Sequence, residues 1–301
     1  MIRSFLSIAT VTLCCGTTAR AAEKPAAASR PVAGEISRTY TTQGWLVQES
    51  ASFRVFCRTD CTDAKRLPAA CEALRRQLQE TWFGEATDAW SLRCDIVLHP
   101  SVAGYVRELG PGSQQSSGCA TIEIEKGRVV KRRVDLRADA ADWMSSSLPH
   151  ELTHVVLADK FATKQVPRWA DEGMAILSEP ADRQSIRRSA MQRAFGRAPR
   201  YAAGDLLALR EYPSGDHRDA FYGQSASLVA YLIERDSPEK FIEFLELGQR
   251  KGFEPALAEI YGLRSLAALD ARWHPQLLDR GPSAGLFAAR IARITSGRQI
   301  D

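Results

Sequence analysis

Short alternating runs and helical stripes share the first part of the chain; after Pro180 only the helical spacing remains. Residues 52–58 (S-F-R-V-F-C-R) alternate and predict a strand. Leu67, Cys71, Leu74 and Leu78 fall three or four apart, which predicts a helix across 63–83 starting a few residues before Pro68. A second strand is expected at 92–99 and a short helix at 101–109, followed by a Gly/Ser-rich loop to Gly118. Residues 120–125 and 128–136 read as a hairpin turning at Lys126-Gly127. Met144, Leu148, Leu152, Val155, Val156 and Phe161 mark one face of another helix, with Asp142 as its N-cap. Pro149 would clash with a preceding turn but suits a first one, so this helix is expected to begin near 145–147. Pro167 and Pro180 bracket the next helix. Further helices are expected at 182–195, 204–210, 217–235, 238–250, 253–261 and 264–275, and no internal repeat is present. The pattern is that of an α+β fold, a sheet-bearing part followed by a mainly helical C-terminal lobe.

The amino terminus changes this picture. Arg3, a mostly apolar run at 5–15 and the small residues Ala19, Ala21 and Ala22 read as a secretory signal, cleaved just before Ala22 or Glu23. Acylation at Cys14 or Cys15 is disfavoured, since Leu13 and Cys14 stand where a small residue is usual. The expected organisation is a signal peptide at 1–22, a flexible Ala/Pro-rich lead-in at 23–50, a sheet-bearing lobe at 51–180 and a helical lobe at 181–301. No later apolar stretch is long enough to span a bilayer. The protein is therefore expected to be exported, periplasmic or secreted.

Loss of Arg3 and Arg20 with the leader takes the formal charge from +4 to +2, too little to argue for nucleic acid as a partner. The basic cluster Arg128, Lys131, Arg132 and Arg133 is expected to be a solvated hairpin arm rather than a substrate-carboxylate site. Cys57, Cys61, Cys71, Cys94 and Cys119 remain after cleavage. None forms a C-x-x-C pair, which argues against a cysteine zinc site. In an oxidising compartment disulfides are expected. Cys71 with Cys94 is a reasonable couple; Cys57 can close a small loop with Cys61, or one of the two can pair with Cys119.

The chemistry concentrates at H-E-L-T-H, 150–154, followed by W-A-D-E-G at 169–173. Four residues make one helical turn, so His150 and His154 can aim both imidazoles at one metal ion. Glu151 projects from the neighbouring edge of that face, within reach of a water at the metal. An open zinc site needs a third protein ligand. Glu172 and Asp171 both lie at a distance that allows the rest of one helix, a turn and the start of the next. Ala170 and Gly173 leave room for close helix packing. His99, at a strand end, is not expected to be a ligand.

On these residues the chain resembles the gluzincin peptidases, thermolysin-like and peptidase-MA-like, in which H-E-x-x-H is completed by a glutamate in W-x-x-E-G-x-A. Trp169, Glu172, Gly173 and Ala175 stand in that register. The resemblance implies a zincin-like mixed sheet with an active-site helix, zinc held by His150, His154 and Glu172, and Glu151 as general base. It implies an edge strand near 119–125 that pairs with an extended peptide or protein substrate, and a Tyr or His oxyanion donor from the helical lobe. Tyr222 and His217 are the candidates, Tyr222 preferred. Leu157 and Lys160 stand where a metzincin has glycine and histidine. One turn after Glu172 stand Ala175 and Ile176, where thermolysin has an aspartate, so the partner of His150 is unassigned.

The function expected is zinc-dependent hydrolysis of peptide bonds. The alternatives are a zinc- and peptide-binding protein without turnover, or a structural envelope protein with a relic site. Glu151 argues against a pure binder, which has no need of a base.

Overall fold

The computed structural model describes residues 36–59, 66–197 and 200–279. The expected leader, the Ala/Pro-rich stretch at 23–35 and Cys61 lie outside them. The chain opens with β1 (Arg38–Thr42), β2 (Trp45–Glu49) and β3 (Phe53–Cys57), followed by α1 (Leu67–Phe83), β4 (Cys94–His99) and α2 (Val102–Leu109). The hairpin β5 (Gly118–Glu125) and β6 (Arg128–Arg137) comes next. After it stand α3 (Leu148–Lys160), α4 (Arg168–Leu177), α5 (Ala181–Ala194), α6 (Ala203–Ala208) and α7 (Asp216–Glu234). Then come α8 (Pro238–Lys251), α9 (Phe253–Tyr261), α10 (Leu266–Trp273) and α11 (Gln276–Asp279). All the helices expected after Pro180 are present.

The sheet runs β1-β2-β3-β4-β6-β5, with β3/β4 and β4/β6 parallel and the other pairs antiparallel. It is the mixed sheet expected, and β5 lies at its edge. Phe53, Val55 and Cys57 of β3, Ile96 and Leu98 of β4, and Val134 and Leu136 of β6 are buried with Leu67, Cys71, Leu74 and Leu78 of α1. The same apolar cluster continues through Leu148, Leu152 and Val155 of α3 and Met174 of α4 into Leu228 and Val229 of α7.

Four expectations need correction. Residues 38–49, assigned to the flexible lead-in, form the β1–β2 hairpin. Its turn sits at Gln43-Gly44, whose φ values of 48° and 75° are those of a two-residue turn that twists with its strands. Second, α3 starts at Leu148, not at 145–147, with Pro149 in its first turn. The preceding residues Trp143–Ser147 make a π-helical turn, which tolerates the wide backbone that Pro149 requires. Asp142 caps nothing and instead pairs with Arg183 at 3.0 Å. Third, the basic arm is solvated only in part: Arg128 and Lys131 are exposed, but the other two cations are not. Arg132 is buried, donates to Leu92 O and Asp159, and lies 4.6 Å from the Trp90 ring centroid. Arg133 pairs with Asp135 and Glu108, and Lys131 with Glu123. These cations tie the hairpin to α2, α3 and the loop before β4. Fourth, Cys71 and Cys94 carry free thiols in this structure, as does Cys119. Cys71 and Cys94 are buried neighbours that influence each other electrostatically, without a bond between them.

Gly173 supports the expected close packing. A Cβ there would lie 2.5 Å from Val229 Cγ2 and 2.6 Å from the carbonyl oxygen of Ser225, both on α7. Gly→Ala in a helix gains about 1 kcal/mol of propensity. Overpacking costs about 1–3 kcal/mol, with the upper end fitting a case where backbone must yield. Gly173→Ala is expected to lose about 1–2 kcal/mol of stability in a denaturant titration; an unchanged or higher midpoint would contradict this contact.

Candidate metal centre

The helix α3 presents His150 and His154 one turn apart, their ring centroids 5.0 Å from each other. Glu172 reaches them from α4, with its Oε2 3.6 Å from His150 Nε2. One ligand atom from each of the three residues lies within 4.8 Å of the others. Two ligands about 2.0–2.1 Å from a tetrahedral zinc stand roughly 3.4 Å apart, so this spacing fits one ion after a small contraction.

The surroundings of the histidines fit it too. The Nδ1 of His150 is 2.8 Å from Glu179 Oε1, and the Nδ1 of His154 is 2.8 Å from Asp171 Oδ1. A carboxylate on Nδ1 fixes that nitrogen as the N–H and leaves Nε2 with its lone pair toward the centre. Asp171 is therefore the orienting partner of His154, and Glu172 is the carboxylate inside the cluster. Glu179 was not anticipated: it lies seven residues, two turns, beyond Glu172, whereas the thermolysin pattern directs attention one turn on. Glu179 is buried and its pKa is lowered; burial works against the charge, but the bond to His150 and the charges of His150, Arg187 and Arg183 outweigh it.

Tyr212 is a second unanticipated participant. Its hydroxyl donates to Glu172 Oε1 at 2.6 Å, which leaves Oε2 facing His150. It arrives from the loop after α6, where no periodicity marks it, and Arg168 holds its ring through a contact at 4.4 Å. Tyr222 stacks on Tyr212 with centroids 6.4 Å apart, and its hydroxyl feels the charges of Glu172 and Glu151. Burial raises its pKa, so it remains a proton donor. His217 is exposed and packs against Tyr201 with centroids 6.2 Å apart, an arrangement that gives it no contact with the cluster.

Glu151 is only 9 % exposed. Burial raises its pKa, against the opposing influence of His150 and His154, and with a further push from Glu172. The Ala120 N–H on β5 partly offsets this by bonding the carboxylate. Gly118, at the start of β5, makes the space: a Cβ there would lie 2.8 Å from Glu151 Cγ and 2.9 Å from its Oε1.

In the metal-free protein, burial opposes the charged form of His154, but Asp171, Glu172 and Glu151 overcome it and push its pKa up to about 10. A metal must displace that proton, so affinity rises with pH below that value. Removing either orienting carboxylate is expected to weaken zinc binding by about 10–100-fold. Competition with a chromophoric chelator on Asp171→Asn and Glu179→Gln measures this; affinities equal to wild type for both would show that the two carboxylates do not support the ligands.

A mixed sheet with a His-x-x-x-His helix laid across it, completed by a glutamate on the following helix, defines a gluzincin-type peptidase domain. Residues 130–279 match the family model of the peptidase MA superfamily, and this part of the chain is similar to that superfamily. The match begins within β6, so β1 to β5, α1 and α2 precede it. No curated protein matches the chain.

Proposed function

We propose that this protein is an exported zinc-dependent peptidase, with zinc held by His150, His154 and Glu172. The observation that carries the reading is the pair of carboxylates on the two Nδ1 atoms, which leaves both Nε2 atoms free to bind beside Glu172. A cluster used only as a hydrogen-bond network has no need of that orientation. Zinc bound there would polarise a substrate carbonyl and acidify a water.

The chain's own groups do the rest. Glu151 takes the proton of the attacking water and returns it to the leaving amine. Its burial suits the task, because a raised pKa brings a carboxylate closer to working pH. Tyr222 stays protonated and donates a hydrogen bond to the developing oxyanion. The open edge of β5 aligns an extended peptide by backbone hydrogen bonds, which select little for sequence. The test is hydrolysis of an unfolded protein by the mature form, purified with its N-terminus near Ala22 or Glu23. Activity should vanish with a chelator and return with zinc. Cleavage that persists in the chelator would overturn the metal reading.

A further inference from the structure

Between α5 and α7 lies a cavity of about 100 Å³, lined by Arg183, Ile186, Arg187, Ala190, Asp219 and Tyr222. Two of its walls connect to the metal cluster, each through one intervening residue. Tyr222 stacks on Tyr212, which holds Glu172. Arg187 touches the Tyr222 ring, its guanidinium 5.6 Å from the centroid, and reaches Glu179, the partner of His150, at 3.4 Å. That contact uses one nitrogen of the guanidinium and leaves the other donors for a ligand. Arg183 is held in place by Asp142. Ile186 is 53 % exposed, the most exposed large apolar side chain among the described residues, and with Ala190 it forms the apolar side.

A planar guanidinium beside a phenol is suited to a carboxylate, which it can grip through two parallel hydrogen bonds. Arg183 and Arg187 keep donors beyond their contacts with Asp142 and Glu179, and Asp219 is the one acid of the lining itself. The space is large enough for a carboxylate on a short stem. We propose that this cavity binds a carboxylate of the peptide substrate next to the bond that is cut, gripped by Arg187 with Arg183 as the second cation. The inference rests on the peptidase reading above. The carboxylate is either the free C-terminus, which makes the protein a carboxypeptidase, or an internal Asp or Glu side chain, which makes it an acid-selective endopeptidase.

The test measures binding without turnover, by fluorescence anisotropy of labelled peptides on zinc-loaded Glu151→Gln. One pair of peptides differs only in a C-terminal acid or amide, the other only in an internal Asp or Asn. A charge-assisted contact predicts about 10–100-fold tighter binding of the acid member in one pair. The preference should disappear when Arg187→Gln or Ile186→Glu is added. Zinc is measured in every variant, because Arg187 also touches Glu179. Ile186→Glu, at an exposed position, brings a competing carboxylate to the cavity and decides the question where Arg187→Gln loses metal. Equal binding within both pairs, or a preference that survives Ile186→Glu, overturns the proposal. Wild-type protein that shows the preference but cleaves nothing keeps the cavity and sinks the peptidase reading. Protein that cleaves all four peptides alike does the reverse.

Discussion

Hydrolysis by Glu151→Gln is expected to fall by about 2–4 orders of magnitude, the usual contribution of a positioned base, while zinc content stays at the wild-type level. Gln keeps the size and hydrogen bonding of Glu and removes only the basicity. Glu151 sits outside the three-residue cluster that would hold the ion, so the metal has no reason to leave. Its 9 % exposure and its place beside the cluster suit a group that works in a largely dehydrated setting. Steady-state cleavage of a denatured protein, with metal analysis of the same sample, reads both quantities. Undiminished cleavage would assign the activity to another site.

Gly118→Ala is expected to give the second largest loss, about 100-fold in kcat/KM, with the three ligand residues unaltered. The added methyl would stand 2.8–2.9 Å from Glu151 Cγ and Oε1, well inside van der Waals contact, so the carboxylate must move. A displacement of about 1 Å of a catalytic group costs on the order of 100-fold. The same strand supplies the Ala120 N–H that bonds the carboxylate, so both contacts are strained together. Activity, zinc stoichiometry and melting temperature measured together separate this from misfolding. Full activity in a folded Gly118→Ala protein would mean that the geometry around Glu151 is not what supports the reaction.

The parts legible in the sequence are those governed by local period and spacing. The helices after Pro180 follow from their apolar stripes and their Pro and Gly boundaries. The β5–β6 hairpin follows from Lys126-Gly127. His150 and His154 meet because one helical turn brings them together. What escapes reading depends on contacts between distant segments. Glu179 bonds His150 only because the chain just past the C-terminal end of α4 lies beside the first histidine. Asp171 and Glu172 are adjacent on α4, and only the packing of α4 against α3 decides that one grips an Nδ1 while the other joins the ligands. Tyr212 comes from an aperiodic loop, and Arg132 is buried because Asp159 and the Leu92 carbonyl lie opposite a position that alternation alone marks as polar. The β1–β2 hairpin had a local signal, aromatic and β-branched residues on both sides of Gln43-Gly44, hidden by the Ala/Pro-rich composition just upstream.

Zinc stoichiometry of the purified mature protein and its Glu172→Ala and Asp171→Ala variants tests the central claim most directly. The expected result is one zinc per chain in wild type. Loss of the ion is expected in Glu172→Ala, which removes a ligand, and retention at millimolar protein with lowered affinity in Asp171→Ala, which removes only the support of His154. A wild-type protein that holds no zinc after reconstitution, or a Glu172→Ala variant that keeps it at full stoichiometry and wild-type affinity, would contradict the assignment.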